Sequence, residues 1–313
     1  MKIFILGKTG SITHWLEDCV AAWRADGHQV AHGVTRNPVL HPSLARALQS
    51  VTAARVAGQV RRFVPDLIVA IGAFHVPRAI LAAVADLPAR PPLIGWVGDR
   101  FEPAASSLAA RFDAVAYTDS GLVAEHRRLE FATQAFYLPH AVNPHNRGRT
   151  GPMTRNAQMV FVGNPTPHRR ALVSALSASV SLYGPGWSRT EVGLHEIHKG
   201  RLAAADLAGV YGRHLAALNI RNEVNVLSGL NQRNFQPCLA GTPVITEAQA
   251  DLQLCFDPGV ETLVYQDAGE LNSAYQRLRD DPMAARLIGE AGRRRVLGDH
   301  TYAHRLQRLL EIV

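Results

Sequence analysis

The stretch that decides the fold is Asn231-Gln-Arg-Asn-Phe-Gln-Pro-Cys-Leu-Ala-Gly-Thr-Pro-Val-Ile-Thr-Glu247. It has the pattern of a polar loop, a short helix, a Gly-Thr-Pro break and a buried strand that begins at Pro243. A helix leading into a parallel strand indicates an α/β fold, which binds ligands beyond the carboxyl ends of its strands. Polar side chains cluster at the expected helix start: Asn231, Arg233, Asn234 and Gln236. Because helix N-termini bind anions, the stretch predicts a phosphorylated ligand.

Length and composition favour two globular domains and no nucleic-acid partner. The chain has 313 residues, 47% of them hydrophobic, which is enough for two cores. Its net charge of +7 comes mostly from dispersed arginines, without a basic stripe interleaved with aromatic residues. Nucleic-acid binding is therefore not predicted. An anionic substrate or an anionic membrane surface fits the charge equally well.

The sequence predicts a cytoplasmic protein with no cofactor and no metal. Its first residues read as a buried strand rather than a signal peptide, and no apolar run approaches the roughly 18 residues of a membrane span. Peripheral association with the inner face of the membrane is the alternative. Cys19, Cys238 and Cys255 are predicted to be buried thiols. His300 and His304 stand four residues apart, but without a third ligand they are predicted to be structural.

Alternating strand and helix patterns divide the chain into two halves. Apolar runs at 2–6, 29–34, 66–71, 92–97, 114–118 and 135–138 predict a parallel sheet covered on both faces. The segment 143–156 lacks apolar periodicity and reads as a linker. A second alternation follows it and ends in helices. Two doubly wound domains are expected, with a cleft between them.

Several motifs of the second half stand in the order and spacing of one enzyme group. They are Phe161-Val-Gly163 followed by Arg169-Arg170, Tyr183-Gly-Pro-Gly-Trp187, Leu218-Asn-Ile-Arg221, Arg233 to Glu247, Phe256-Asp-Pro-Gly-Val-Glu261 with Tyr265, and His300-Thr-Tyr-Ala-His-Arg305. In these motifs the chain resembles the GT-B glycosyltransferases, specifically the CgeB-like group related to glycosyltransferase family 4. The first half resembles them loosely, through Trp96-Val-Gly-Asp99, residues 113–120 and Tyr137-Leu-Pro-His-Ala141.

The resemblance implies a fold and an activity. The fold is α/β of the GT-B type, with two doubly wound Rossmann-like domains facing a central cleft. Residues 1–146 would bind the acceptor, residues 157–300 the nucleotide sugar, and helix 301–313 would pack back on the N-terminal domain. The implied enzyme moves a sugar from a UDP-, GDP- or dTDP-linked donor to a glycan, a lipid-linked saccharide, a protein or a small molecule. Transfer would be metal-independent, because helix dipoles and basic side chains stabilise the leaving diphosphate in this class. The resemblance to family 4 favours retention of the anomeric configuration.

The resemblance also implies a set of donor-binding residues. They are Gly163, Arg169, Arg170, Tyr183, Gly184, Arg233, Asn234, Phe235, Gln236 and Glu247. Gln236 and Ser228 stand where many family members carry acidic residues. An amide can accept a ribose hydroxyl but binds it less strongly than a carboxylate does. Helix capping is the alternative for Arg233 and Gln236, and a helix N-cap is the alternative for Glu247.

Candidates in the first half face the expected cleft. Gly7-Lys-Thr-Gly10 lacks the Walker spacing but suits a glycine turn, with Gly10 near the acceptor or sugar. Asp99 follows a parallel strand, so it is a candidate general base, with loop capping as the alternative. His14 is a second candidate base; the alternative is a half-exposed helix histidine without a role in the site. His140 follows the last strand of this half and is expected to contact the sugar or the acceptor.

Two other functions remain open at this point. The missing acidic residues at 228 and 236 suit a non-catalytic GT-B protein that binds a nucleotide or a glycan. A sugar-nucleotide epimerase has a similar two-domain build and is the other alternative.

Overall fold

The computed structural model describes residues 1–8, 14–35, 48–146, 155–188, 195–198 and 202–312. The chain forms two compact units, named here the N-terminal and C-terminal units. The N-terminal unit comprises residues 1–139, 224–228 and 302–313, and the C-terminal unit comprises 140–223 and 229–301. Each unit is built on one parallel six-stranded sheet with helices, which confirms the predicted α/β class.

The N-terminal sheet has the strand order β2-β1-β3-β4-β5-β6. Its strands are β1 Lys2–Gly7, β2 Gln29–Val34, β3 Leu67–Ile71, β4 Leu93–Val97, β5 Ala114–Tyr117 and β6 Gln134–Tyr137. The helices are α1 Trp15–Ala25, α2 Gln49–Phe63, α3 Arg78–Ala85, α4 Ser106–Ala109 and α5 Ser120–Arg128. Strands β3, β4 and β5 are buried along their whole length. Continuous apolar strands of this kind are what a parallel sheet covered on both faces requires.

The C-terminal helix of the chain belongs to the N-terminal unit. This helix, here α12, spans Tyr302–Ile312, and its first residue is fully buried. The indole Nε1 of Trp23 donates a hydrogen bond to the Tyr302 carbonyl at 2.8 Å, and the Tyr302 ring lies edge-on to Trp96. Arg305 Nε donates to the Pro139 carbonyl at 2.7 Å. These buried polar contacts fix α12 against α1 and the end of β6.

The C-terminal sheet has the order β12-β11-β10-β7-β8-β9, with all strands parallel. Its strands are β7 Asn156–Val162, β8 Val180–Tyr183, β9 Glu196–His198, β10 His214–Asn219, β11 Val244–Glu247 and β12 Leu263–Tyr265. The helices are α6 Pro167–Ser174, α7 Ala204–Gly212, α8 Gln232–Leu239, α9 Leu252–Cys255, α10 Ala268–Asp280 and α11 Pro282–Asp299. This is the Rossmann order, in which the winding reverses between β7 and β10.

Two glycines let α11 pack directly on the backbone next to α8. A Cβ on Gly289 would lie 2.1 Å from the Gly241 carbonyl oxygen, and one on Gly292 would lie 2.8 Å from that of Glu261. Real Cβ atoms do not approach oxygen so closely, so both positions require glycine. This contact fixes the C-terminal end of α8, and the direction of that helix is fixed with it.

The sequence-based expectations can now be compared with these elements. The three cysteines are buried free thiols, as predicted. Strand β9 was not predicted. The predicted linker 143–156 lies largely outside the described residues. Val142, just before it, donates a hydrogen bond from its backbone N to the His300 carbonyl at 2.8 Å. No helix within the described ranges is both long and apolar enough to cross a membrane.

Candidate functional site

The candidate site lies at the carboxyl edge of the C-terminal sheet, where β7 and β10 diverge. Rossmann-type sheets bind ligands at this reversal, because the helices after the two strands lie on opposite faces and leave a crevice. The turn after β7 carries Gly163, and the chain after β10 carries Arg221. Helix α8 follows β10 and its loop, and β11 ends at Glu247. The sequence-predicted donor residues of this half come from these neighbouring segments.

The turns that follow β7 and β8 are packed against each other. Gly184 has φ +137°, and a Cβ there would lie 2.5 Å from the Gly163 carbonyl oxygen. The same oxygen accepts a hydrogen bond from Trp187 Nε1 at 2.8 Å. Tyr183 stacks face to face on His198, with ring centroids 4.1 Å apart. The close approach of the two backbones therefore requires glycine at position 184. One face of the Tyr183 ring is covered by His198.

The two arginines at the start of α6 have different roles. Thr166 caps this helix by accepting from Arg169 N, and Pro167 occupies its first turn. The buried Arg169 guanidinium donates to the carbonyls of Asn164 at 2.9 Å and Ile220 at 3.1 Å. Burial, helped by the nearby charge of Arg233, lowers the pKa of Arg169 to about 9. The Arg169 guanidinium thus ties the chain after β7 to the chain after β10.

Arg170 is half-buried and lies at the outer side of the same turn. Its Nη2 donates to the Gly186 carbonyl at 2.9 Å, and its guanidinium lies 5.9 Å from the centre of the Trp187 ring. The predicted donor contact by one member of the Arg169–Arg170 pair remains a prediction, and Arg170 is the more exposed of the two.

A network of buried amide side chains holds the start of α8. Asn219, at the end of β10, donates from Nδ2 to Asn234 Oδ1 at 3.0 Å and to Thr246 Oγ1 at 2.9 Å. Its Oδ1 accepts from Asn231 Nδ2 at 3.0 Å. Asn231 caps the helix and forms a capping box with Asn234. The first turn of α8 is thereby fixed to the ends of β10 and β11.

Arg233 is the basic side chain that this network presents. Its Nε donates to Asn219 Oδ1 at 3.2 Å, and its guanidinium lies 5.6 Å from the centre of the Phe161 ring. Its Nη1 would lie 3.4 Å from a Cβ on Gly163, so the group reaches the glycine turn. No carboxylate of the described residues pairs with it. Burial lowers the pKa of Arg233, which is the effect expected of a cation without a counter-ion.

The neighbours of Arg233 on α8 have structural roles. Asn234 is buried within the amide network. Phe235 is fully buried, with its ring 5.3 Å from Phe256 and 5.2 Å from His300. Both side chains thus pack behind the start of α8, and the predicted donor contact of these two residues stays a prediction. Gln236 is half-buried.

Glu247 lies at the centre of a mixed charge cluster that the sequence did not predict. Its nearly buried carboxylate has both oxygens 3.1 Å from His168 Nε2. It accepts from Arg221 N at 3.1 Å, and Oε1 lies 3.0 Å from Arg221 Nε. Glu223 completes the cluster at 3.6 Å from Arg221 Nη2 and 3.9 Å from His168 Nδ1. The cluster joins the start of α6 to the ends of β10 and β11.

In the N-terminal unit, Asp99 has partners that the sequence did not indicate. Asn225 Nδ2 donates to Asp99 Oδ1 at 2.7 Å, and His75 Nε2 lies 3.4 Å from Oδ2. The side chains of Asp99 and His75 are 45% and 59% exposed, so the pair remains accessible to a small molecule. His75 follows β3 and Asp99 follows β4, which places both at the carboxyl edge of the N-terminal sheet.

The other predicted residues of the first half lie elsewhere. His14 is the residue before α1 and has a left-handed backbone with φ 49°. His140 is buried and belongs to the C-terminal unit, so its predicted contact with a sugar or acceptor would require a ligand to reach a buried ring. Gly10 lies outside the described residues.

No three His, Cys, Asp or Glu side chains of the described ranges form a group suited to a metal ion. The predicted structural role of His300 agrees with its position, because Nε2 of this buried ring lies 2.9 Å from the Cys255 carbonyl oxygen.

One family model matches the part of the chain that contains this edge. Residues 168–311 match the family model described as glycosyl transferase-like. The matched range begins at His168 and contains Arg221, Arg233 and Glu247. No curated protein matches the sequence.

Solved structures resemble the chain over nearly its whole length. Sucrose-phosphate synthase from Thermosynechococcus elongatus has a TM-score of 0.69 at 17% identity, covering 99% of this chain and 98% of its own. Anabaena HepE in complex with UDP and glucose has a TM-score of 0.71 at 15% identity, with coverage of 99% and 98%. A protein described as UDP-N-acetylglucosamine 2-epimerase from Listeria monocytogenes reaches 0.64 at 9% identity, with coverage of 99% and 94%. At these identities the likeness shows the fold, which is GT-B; the CgeB-like subgroup remains a prediction.

Proposed function

We propose that this chain, which has the GT-B fold and matches a glycosyl transferase-like family over residues 168–311, transfers a sugar from a nucleotide-diphosphate donor. The observation that carries the proposal is Arg233. It is a partly buried cation at a helix N-terminus, oriented by Asn219 and without a carboxylate partner among the described residues. Such a group is stabilised by an anion, and a diphosphate supplies one in a geometry that a guanidinium can bind through two atoms.

The residues of this edge suit departure of a diphosphate. In the transfer, the bond between the anomeric carbon and the β-phosphate oxygen breaks, and a bond forms from that carbon to an acceptor oxygen. The acceptor proton passes to a base or to the departing phosphate. Arg233 and the N-terminal amides of α8 would stabilise the negative charge that grows on the leaving group. The proposal is therefore metal-independent transfer, and retention of configuration follows from the resemblance to family 4.

A turnover assay tests the activity. The protein is incubated with UDP-, GDP- and dTDP-linked sugars, with and without cell-extract acceptors, and release of free nucleoside diphosphate is measured. One donor should be consumed, faster with acceptor present, and R233A should lower the rate at least tenfold, because the lost contact is a charge-assisted one. If wild type consumes no donor, or R233A consumes it at the wild-type rate, the proposal is wrong.

We assign the acceptor side to the N-terminal unit. Asp99 is the proposed general base, since its carboxylate is held by Asn225 and His75 and still about half exposed. D99N should lower kcat at least about a hundredfold with little change in donor affinity, because it removes the base and keeps the side-chain shape. Unchanged kcat would exclude this role.

Binding to anionic vesicles, measured by co-sedimentation, would test whether the net charge of +7 directs the protein to a membrane-bound acceptor.

Two alternatives predict different outcomes in the same assay. The likeness to the Listeria protein favours a sugar-nucleotide epimerase, which would interconvert donor epimers without any acceptor. Gln236, in place of the family carboxylate, favours a non-catalytic protein, which would bind a nucleotide and release no product.

A further inference from the structure

The charge cluster of Glu247, His168, Arg221 and Glu223 differs in chemistry from the arginine site beside it. Arg233 and the amides of α8 present only hydrogen-bond donors, which suits a phosphate. The cluster instead alternates acids and bases, with each carboxylate lying between the same two basic side chains. Sugar hydroxyls both donate and accept, so adjacent hydroxyls are matched by side chains that alternate in the same way.

The four side chains of the cluster differ in solvent exposure: one is nearly buried, and the other three are partly exposed. The Glu247 side chain is 9% exposed, whereas those of His168, Arg221 and Glu223 are 30%, 38% and 51% exposed. The carboxylate of Glu247 is surrounded by His168 Nε2, Arg221 Nε and Arg221 N, which leaves it little capacity for another partner. The exposed groups therefore face outward and Glu247 holds them in place.

The position of the cluster relative to Arg233 suits a hexose attached to a diphosphate. Asn219 bonds Arg233 directly, and Arg221 is two residues further along the chain. Thr246, in the same amide network, immediately precedes Glu247. Two residues of chain span at most about 7 Å, so the cluster begins within roughly one sugar ring of the residue that holds Arg233.

We propose that His168, Arg221 and Glu223 bind the hydroxyls of the transferred sugar, and that Glu247 is a positioning residue that orients His168 and Arg221. This proposal rests on the proposed function and deepens it by assigning the sugar-recognition residues. It also changes the sequence-based interpretation of Glu247, which made that residue itself the sugar contact. Glu247 acts through its two basic partners, because its oxygens are already engaged.

The test compares two ligands that differ only in the sugar. Binding of the nucleotide sugar that wild type binds most tightly, out of UDP-, GDP- and dTDP-glucose, is measured by calorimetry beside binding of the matching nucleoside diphosphate. H168A and E247Q should weaken nucleotide-sugar binding about tenfold and nucleoside-diphosphate binding less than about twofold. H168A removes a contact to a hydroxyl, and E247Q loosens the orientation of His168 and Arg221, so both affect the sugar alone. E223Q, at a largely exposed position that folding tolerates, should show the same selectivity. E290Q, which alters an exposed ion pair of the same unit, should change neither.

Three outcomes would overturn this assignment. Equal weakening of both ligands would make the cluster a support of the phosphate site or of the fold, and no weakening of either would remove it from the site. In both cases wild type still binds nucleotide, so the proposed function survives. If wild type binds none of the nucleotides, the proposed function fails and this inference fails with it.

Discussion

Asp119 shows how one side chain determines the path of a distant segment. Its buried carboxylate caps α5 by accepting from Gly121 N at 2.8 Å and Leu122 N at 3.2 Å. It also accepts from Leu227 N at 2.7 Å and Ser228 N at 3.1 Å. Four backbone donors therefore depend on one residue. Together with the hydrogen bonds of Asn225 to Asp99 and Arg100, they hold the segment 224–228 in the N-terminal unit.

Substitution of Asp119 tests that dependence. D119A should lower the free energy of unfolding of the N-terminal unit by about 2 kcal/mol, because a helix cap is lost and two further, partly buried backbone donors lose their acceptor. D119N keeps one oxygen and should cost about 1 kcal/mol. Urea unfolding followed by circular dichroism measures both. A cost below about 0.5 kcal/mol for D119A would show that the carboxylate does not anchor the segment.

At the residue scale, the sequence predicted local roles and missed distant partners. The cap that Asp119 forms on α5 is a local contact, whereas its bonds to Leu227 and Ser228 span more than 100 positions and have no local sequence signal. Arg233 was predicted at a helix start, and its orientation by Asn219 was not. His168 follows a glycine turn and a proline at a helix start, a signal that could have marked it, whereas its contact with Glu247 appears only in the folded sheet.

Among the elements, α8 determines the candidate site. It has only eight residues and a proline inside, so its intrinsic stability is low. The Asn231 cap, the capping box with Asn234 and the packing of α11 compensate for this weakness. The geometry of Arg233 therefore depends on the cap as well as on its own side chain.

The N-cap of α8 can be tested with a matched pair of variants. N231A should lower the free energy of unfolding by about 1 kcal/mol, since the helix loses the acceptor for Arg233 N. N231S restores a capping oxygen and should recover most of that loss. Chemical unfolding of both variants gives the comparison. Equal stability of N231A and N231S would mean that the side chain does not act as a cap.

Strand β9 was missed for a physical reason that applies to elements in general. It has three residues, Glu196–His198, and none of them is completely buried. A strand of this length at a sheet edge carries neither a continuous apolar run nor a readable alternation. The central strands, which are buried on both faces, were predicted because their hydrophobicity is required by the fold.

For the whole molecule, buried neutral histidines link stability to pH. Burial lowers the pKa of His126, His195 and His214, which are distributed over both units. His195 accepts from Val180 N through Nδ1 and lies 2.8 Å from the Val173 carbonyl through Nε2, so protonation would break a hydrogen bond. The unfolded chain binds a proton at each histidine near pH 6.5, and the folded chain does so only at lower pH.

Stability should therefore fall on acidification below about pH 6.5. Because the unfolded state binds more protons, the free energy of unfolding decreases by up to about 1.4 kcal/mol per pH unit for each histidine until its folded pKa is reached. Urea unfolding midpoints measured between pH 7.5 and 5 test this, and H195Q should reduce the slope. A constant midpoint over this range would contradict the prediction.

The sequence was sufficient to predict the fold, but it did not predict which residues belong to which of the two units. The strand and helix alternation predicted two doubly wound sheets, because each apolar run must be covered on both faces. The inclusion of residues 224–228 in the N-terminal unit was not predictable, since it arises from a few hydrogen bonds rather than from a pattern. The candidate site is intermediate: its helix was predicted, and its charge cluster was not.

The most direct test of the account is calorimetric titration of UDP, GDP and dTDP into wild type, R233A and the control variant E290Q. The account predicts that one nucleoside diphosphate binds wild type and E290Q with equal affinity. R233A should weaken this binding at least tenfold, because the Arg233 guanidinium, which has no carboxylate partner among the described residues, is its main phosphate contact. Equal binding by wild type and R233A, or binding of no nucleotide by wild type, would contradict the central claim.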